Sequence, residues 1–180
     1  RIIRKSGAML HDHLLLSKPL GVGMIVRAYR VALVDEGGLE EAMNVMLMSN
    51  RHASERALAV GVHCATDVSG FGLLGHLSQM LLQGQGAVLD FEAIPVIPSV
   101  SRVTGRLSQT FWSEQNLDYV RSRVELKGFR NEPPFYPLLD PQTNGGLLVS
   151  APASAVAGLT EAGFRRIGEV TECGVIELSF

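Results

Sequence analysis

The sequence is poor in cysteine: Cys64 and Cys173 are its only two, far apart and with no C-x-x-C pair. That excludes the ligand spacing of a zinc ribbon and of a dithiol redox motif. A reducing, cytosolic setting is the expectation. There is no excess of charge of either sign, since 16 Lys+Arg face 18 Asp+Glu for a net −2. With no basic cluster either, nucleic-acid binding through a basic face is not expected. No apolar run approaches the ~20 residues of a membrane span, and no signal-peptide pattern is present. The first residue is Arg1 rather than Met. The expectation is therefore a processed or excised piece of a longer protein.

What is present fits one folded domain of ordinary size, or at most two small ones, in 180 residues. Hydrophobic residues make up 46%, enough for a core without a metal or disulfide staple. Leu14-Leu15-Leu16 reads as a short buried strand that stops at Lys18-Pro19. Met24 to Val34 is compatible with either strand or helix. After Gly37-Gly38, the spacing of Leu39, Ala42, Met43 and Met46 predicts a helix with those residues inward. A second helix runs from about His52 to Val60, and a strand covers Val62 to Thr66. Leu73, Leu77, Met80 and Leu81 stripe a helix from Phe71 to about Leu82, and Ala87 to Phe91 is a strand. Between 99 and 137 the pattern is weak. It is read as a short helix near Val100 to Gly105, a long loop and a strand near Tyr119 to Val124. Strand Leu147 to Ser150 follows, then a helix between Pro152 and Gly163. Strands Arg166 to Val170 and Val175 to Leu178 close the chain. Strands and helices mix without strict β-α-β alternation, which predicts an α+β fold with a mixed β-sheet layered with helices.

Three constellations could carry chemistry. Asp67 stands between a strand end and a helix start, where it could help bind Mg²⁺ or simply cap the helix, as could Ser69. Beyond it, Gly70, Gly72 and Gly75 spell G-x-G-x-x-G, with Asp90 about 20 residues on, as a dinucleotide fingerprint asks. Asp67-Val68-Ser69 intervenes before the first glycine, which that fingerprint does not allow for. Asp140 to Gly146 is either a backbone nest for an anion or a tight turn into a strand. Lys18 could meet a phosphate or be a solvated lysine at a strand end. His11, Asp12 and His13 sit in the lead-in with no evident partner set. His63 and His76 read as structural hydrogen-bonding residues, and Cys64 as an inert buried thiol.

Three strings occur in order: Leu16-Ser17-Lys18-Pro19-Leu20-Gly21, then Ala65-Thr66-Asp67-Val68-Ser69-Gly70-Phe71-Gly72-Leu73-Leu74-Gly75-His76, then Asp140-Pro141-Gln142-Thr143-Asn144-Gly145-Gly146-Leu147-Leu148. Together they resemble the C-terminal half of the selenide, water dikinase (selenophosphate synthetase) family, which reads T-K-P-L-G, A-T-D-V-T-G-F-G-L-L-G-H and D-P-Q-T-S-G-G-L-L. Aminoimidazole ribonucleotide synthetase shares the layout but not these strings. Ser17 and Ser69 stand for Thr, and Asn144 for Ser. Gly7 to His13 departs from the family's G-A-x-P-G-D-x.

The resemblance implies an aminoimidazole ribonucleotide synthetase C-terminal-domain-like fold over residues 13–180, with residues 1–12 as lead-in from an N-terminal domain. It implies conversion of selenide, ATP and water to selenophosphate, AMP and phosphate with Mg²⁺. The N-terminal domain of that family supplies the catalytic Cys or selenocysteine, a Lys, the nucleotide loop, most metal-binding carboxylates and the homodimer contact. The C-terminal domain supplies one metal-binding Asp, here Asp67, so this chain alone is expected to be inactive. The alternative is a stand-alone non-catalytic or dinucleotide-binding module using Gly70 to Gly75.

Overall fold

The computed structural model describes residues 2–103 and 109–180. The elements run β1 (His13–Leu16), α1 (Val22–Arg30), α2 (Glu36–Leu47), α3 (Arg51–Val60), β2 (Cys64–Asp67), α4 (Gly72–Met80), β3 (Gly86–Asp90), α5 (Phe111–Arg121), β4 (Glu125–Lys127), β5 (Leu147–Ala151), α6 (Ala153–Glu161), β6 (Arg165–Thr171) and β7 (Val175–Ser179). The strands form one seven-stranded sheet in the order β2-β5-β1-β6-β3-β7-β4. β7 pairs in parallel with β3 and β4, and the other pairings are antiparallel. The fold is thus the α+β mixed sheet expected.

The three-leucine run makes sense in the centre of this sheet. Leu14 and Leu16 join the core under α4 and α5, while Leu15 points to the opposite face with α3 and α6. A strand covered on both faces needs no polar alternation. A third cluster ties α1 to α2 and to the 3-10 turn Pro98–Arg102.

The segment left open between strand and helix is α1. Val22, Met24, Ile25 and Ala28 are buried, and Arg27 and Arg30, three residues apart, share the solvent side. The inward face expected of α2 holds for Ala42 and Met46 and is corrected for Met43. Gly38, Ala42 and Val45 are buried, whereas Met43 and Leu47 are exposed, Leu47 at 77%. The helix starts earlier than the glycine pair suggests, because Asp35 accepts from the Gly38 N–H and caps it. Gly38 then packs so closely that a Cβ there would lie 2.0 Å from Val34 Cγ1. The helix therefore docks through Gly38, Ala42 and Val45, with Met46 packed at the edge of the contact and Met43 outside it.

The strand expected at Tyr119 to Val124 is also corrected, because α5 runs through Tyr119 to Arg121. Its inward residues are Ser113, Asn116, Leu117 and Val120, a helical spacing in which two of the four are polar. That dilution hides the hydrophobic period. α5 opens with a capping box: Thr110 Oγ1 accepts from the Ser113 N–H at 3.0 Å and Ser113 Oγ from the Thr110 N–H at 2.8 Å. The helix expected at Val100 to Gly105 is the 3-10 turn Pro98–Arg102, and its last two expected residues lie outside the described ones.

Loss of the cap should show in stability. Thr110→Ala is expected to lower unfolding free energy by about 1 kcal/mol, measured by urea denaturation. An unchanged midpoint would contradict the capping box.

Candidate functional site

The three sequence strings, scattered over 130 residues of chain, meet in space. Ser17 exchanges bonds with Leu147, its N–H donating to the Leu147 carbonyl at 3.0 Å and its Oγ accepting from the Leu147 N–H at 2.8 Å. The Val68 N–H donates to the Gly146 carbonyl at 2.9 Å, and the Gln142 N–H to the Ser69 carbonyl at 3.0 Å. The two glycines are needed for these approaches. A Cβ on Gly145 would lie 2.2 Å from the Val68 carbonyl oxygen, and one on Gly146 2.6 Å from the Lys18 nitrogen. The Asp140–Gly146 segment is thus a tight turn wedged between the other two strings, with Asn144 at φ 48°.

Two side chains of this turn serve α1 from across the fold. Gln142 Oε1 accepts from the Gly21 and Val22 N–H groups, both at 3.2 Å, and Asp140 Oδ2 from the Met24 N–H at 3.1 Å. They satisfy N–H groups that a helix start otherwise leaves unpaired, and α1 has no side-chain cap of its own. Gln142 Nε2 also donates to Asp140 Oδ2 at 2.9 Å. Gly23 leaves room for the carboxylate, since a Cβ there would lie 2.6 Å from Asp140 Oδ1. Asp140 is 1% exposed and its Oδ1 has no partner among the described residues. Burial pushes its carboxyl up to about 7, against the bonds from Met24 and Gln142 that hold it down.

Lys18 is not a solvated lysine. It is 3% exposed, and its Nζ donates to the Met48 carbonyl at 2.7 Å and the Asn144 carbonyl at 2.8 Å. Burial lowers its pKa. Asn50 donates to the Gly145 carbonyl at 2.8 Å, so both residues bind the turn to the α2–α3 junction.

Asp67 stands apart from this packed ground. It ends β2, opposite Leu147 on β5, and is exposed. Neither Asp67 nor Ser69 caps α4, whose cap position is Phe71. Ser69 Oγ instead meets His76 Nε2 at 3.1 Å, and His76 is buried. Burial, helped by the positive charge of Lys5 and opposed by Asp67, lowers the His76 pKa. Among the described residues the Asp67 carboxylate has no hydrogen-bond partner. Among the described residues no group of three or more His, Cys, Asp or Glu could hold a metal ion. A lone exposed carboxylate suits one ligand position of a hard cation, the rest coming from elsewhere.

The glycines of the G-x-G-x-x-G string do other work. Gly72, at φ +67°, sits where a Cβ would be 2.7 Å from the Leu139 backbone, and Gly75 where it would be 2.7 Å from Phe71 Cβ. β2 and β3, which flank α4, are not neighbours in the sheet, so β2-α4-β3 is not a dinucleotide-binding β-α-β unit.

Sequence reasoning passed over Asn116. From α5 its Nδ2 donates to the Gly70 carbonyl at 2.8 Å and the Leu139 carbonyl at 2.9 Å, clamping the Asp67 loop to the Asp140 turn. Asp12 was also hidden. It is buried and accepts from the Met9 N–H, Ser150 Oγ and His63 Nδ1. His63 is thus a structural partner, as expected, and burial pushes the nearby Cys64 thiol up to about 12, an inert state at neutral pH. His11 and His13 go to Glu169 and Arg166.

Asp140 gives a pH signature. It holds its proton up to about 7 when folded but ionises near 3.8 when unfolded, so the folded state binds more protons between these values. Its contribution to stability therefore falls as pH rises through that window. Asp140→Asn removes this fall, so the native chain should fare better against the variant at about pH 5 than at about pH 8. Urea midpoints at both pH values check it, and parallel profiles would contradict it.

The family described as AIR synthase related protein, C-terminal domain, matches residues 11–180. A selenide, water dikinase of Agathobacter rectalis is 40% identical over 146 residues, covering 79% of this chain and 42% of the relative. One of Carboxydothermus hydrogenoformans is 38% identical over 140 residues, covering 77% and 40%. The chain thus spans about two fifths of the length of these curated relatives. In fold it is similar to the hydrogenase maturation protein HypE of E. coli, with a TM-score of 0.66 at 17% identity over 100% of this chain and 50% of that one. HypE in complex with ATP gives 0.61 at 18% identity, over 98% and 49%. At those identities the likeness shows the fold alone. The chain therefore belongs to the AIR synthase related family as a C-terminal domain, of the sequence type found in selenide, water dikinases.

Proposed function

We propose that this chain is the C-terminal part of an ATP-dependent selenide, water dikinase, and that Asp67 is its contribution to a Mg²⁺ site completed by residues outside it. The observation that carries the reading is the contrast around Asp67. Near it in the three strings Lys18, Ser69, Gln142 and one carboxyl oxygen of Asp140 are engaged in internal hydrogen bonds, while its own carboxylate is exposed and has no hydrogen-bond partner among the described residues. When bound, Mg²⁺ would neutralise charge on ATP phosphates. The chain's own part is to present Asp67. The strand pair β2–β5 fixes its backbone, the Ser69–His76 contact and Asn116 fix the loop beyond it, and the Lys18-held turn backs that loop.

The other carboxylates, the nucleophile and the nucleotide loop are assigned to an N-terminal domain, with which the whole protein forms a homodimer. Selenide, ATP and water are the substrates, and selenophosphate, AMP and phosphate the products. Among the described residues no helix is long and apolar enough to cross a membrane. The two free thiols favour a reducing, cytoplasmic setting.

The test is made in the whole protein. Asp67→Asn is expected to abolish selenide-dependent ATP turnover while leaving the melting temperature nearly unchanged, because the side chain is exposed and has no hydrogen-bond partner among the described residues. Activity within a few-fold of the native enzyme would overturn the metal role. The 180-residue chain alone should show no ATP turnover with selenide above a mock purification, and clear turnover would contradict the division of labour.

A further inference from the structure

The face formed by α1, the start of α5 and the Asp140–Thr143 turn encloses a cavity of about 390 Å³ that does not include Asp67. Its walls combine two chemistries. Arg27 and Arg30 stand close together on the solvent side of α1, and neither is in an ion pair among the described residues. Opposed to them are Phe111 and Trp112, the first two residues of α5, each 61% exposed. Their rings meet edge to face at 5.5 Å. Trp112 also lines an adjoining cavity of about 590 Å³ with Phe71 and Tyr119, whose rings stack at 4.8 Å.

Nothing in the packing of α5 calls for these exposed aromatics. Its buried side is Ser113, Asn116, Leu117 and Val120. A lone exposed apolar residue is ordinary, but adjacent exposed rings lining one cavity with two arginines form a surface with a definite complement. Flat rings accept another flat ring, and arginine forks match phosphate oxygens. Asp140 also lines the cavity, but it is 1% exposed and its Oδ2 is committed to Met24 and Gln142, so the arginines carry the accessible charge.

We propose that this groove binds a nucleotide, with the base stacked on Trp112 and the phosphates on Arg27 and Arg30. The site stands on its own walls. It does not depend on the dikinase reading, or on the G-x-G-x-x-G string, whose glycines Gly72 and Gly75 are used in packing.

Trp112 is the only tryptophan in the sequence, so its fluorescence reports this groove and no other place. The 180-residue chain is titrated with AMP and ATP in the presence of EDTA, which removes any divalent metal from Asp67. Excitation lies beyond the adenine band, and adenosine and inorganic phosphate serve as separate probes. The expected result is saturable quenching by the nucleotides and weaker binding of adenosine. Arg27→Ala with Arg30→Ala should weaken AMP binding by about tenfold, as two charge-assisted contacts are lost. Both arginines are on the exposed side of α1, and circular dichroism confirms that the double variant is folded. No saturable quenching at millimolar nucleotide overturns the proposal, as does a double variant that binds AMP like the native chain. Quenching by phosphate alone that matches AMP also overturns it, because the base would then play no part.

Discussion

The structure hangs on a polar contact inside an apolar fold: Asp140 and Gln142 reach across to the N-terminus of α1 and satisfy its first N–H groups. A buried helix start with unpaired donors would be costly, and a buried carboxylate without donors equally so. Each relieves the other in part: Asp140 Oδ2 is paired, and Oδ1 has no partner among the described residues. The geometry this demands is narrow. Gly23 must lack a side chain, Gly145 and Gly146 must let the turn press against Val68 and Lys18, and Lys18 must hold the far side of the turn through two carbonyls. The loop that begins at Asp67 is bound to this packed unit through the Val68 N–H on the Gly146 carbonyl and the Gln142 N–H on the Ser69 carbonyl.

This arrangement separates the buried polar residues from the exposed Asp67. Lys18, Asn50, Asn116, Asp140 and Gln142 would look like a polar active site if only their types were known. Their hydrogen bonds show them to be internal, each pairing backbone groups that buried loops could not otherwise pair, while Asn50 Oδ1 and Asp140 Oδ1 have no partner among the described residues. Asp67 is the one acid of the three strings left facing outward. A single carboxylate on a rigid strand end is a poor metal site alone and a good component of one built between two bodies.

Much of this was legible in the sequence. The leucine run of β1, the stripe of α4 and the turn before β5 follow from simple periods and breakers, and the three strings identify the family. What escaped had physical reasons. α5 hides because Ser113 and Asn116 occupy half of its inward face, where the hydrophobic period should be. Met43 was misplaced on α2 because close contact through Gly38 and Ala42 turns the helix slightly, and methionine outweighs glycine in any hydrophobic reading. The burial of Lys18 could not be read locally, since its partners are the carbonyls of Met48 and Asn144, far along the chain. Backbone acceptors leave no mark in a sequence.

The most direct test of the account is Mn²⁺ binding followed by electron paramagnetic resonance, comparing the 180-residue chain with the whole protein carrying either Asp67 or Asp67→Asn. The account predicts weak, non-saturating binding by the chain alone, a saturable ATP-dependent site in the whole protein, and its loss in the variant. A tight site in the isolated chain, or one in the whole protein that survives Asp67→Asn, would contradict it.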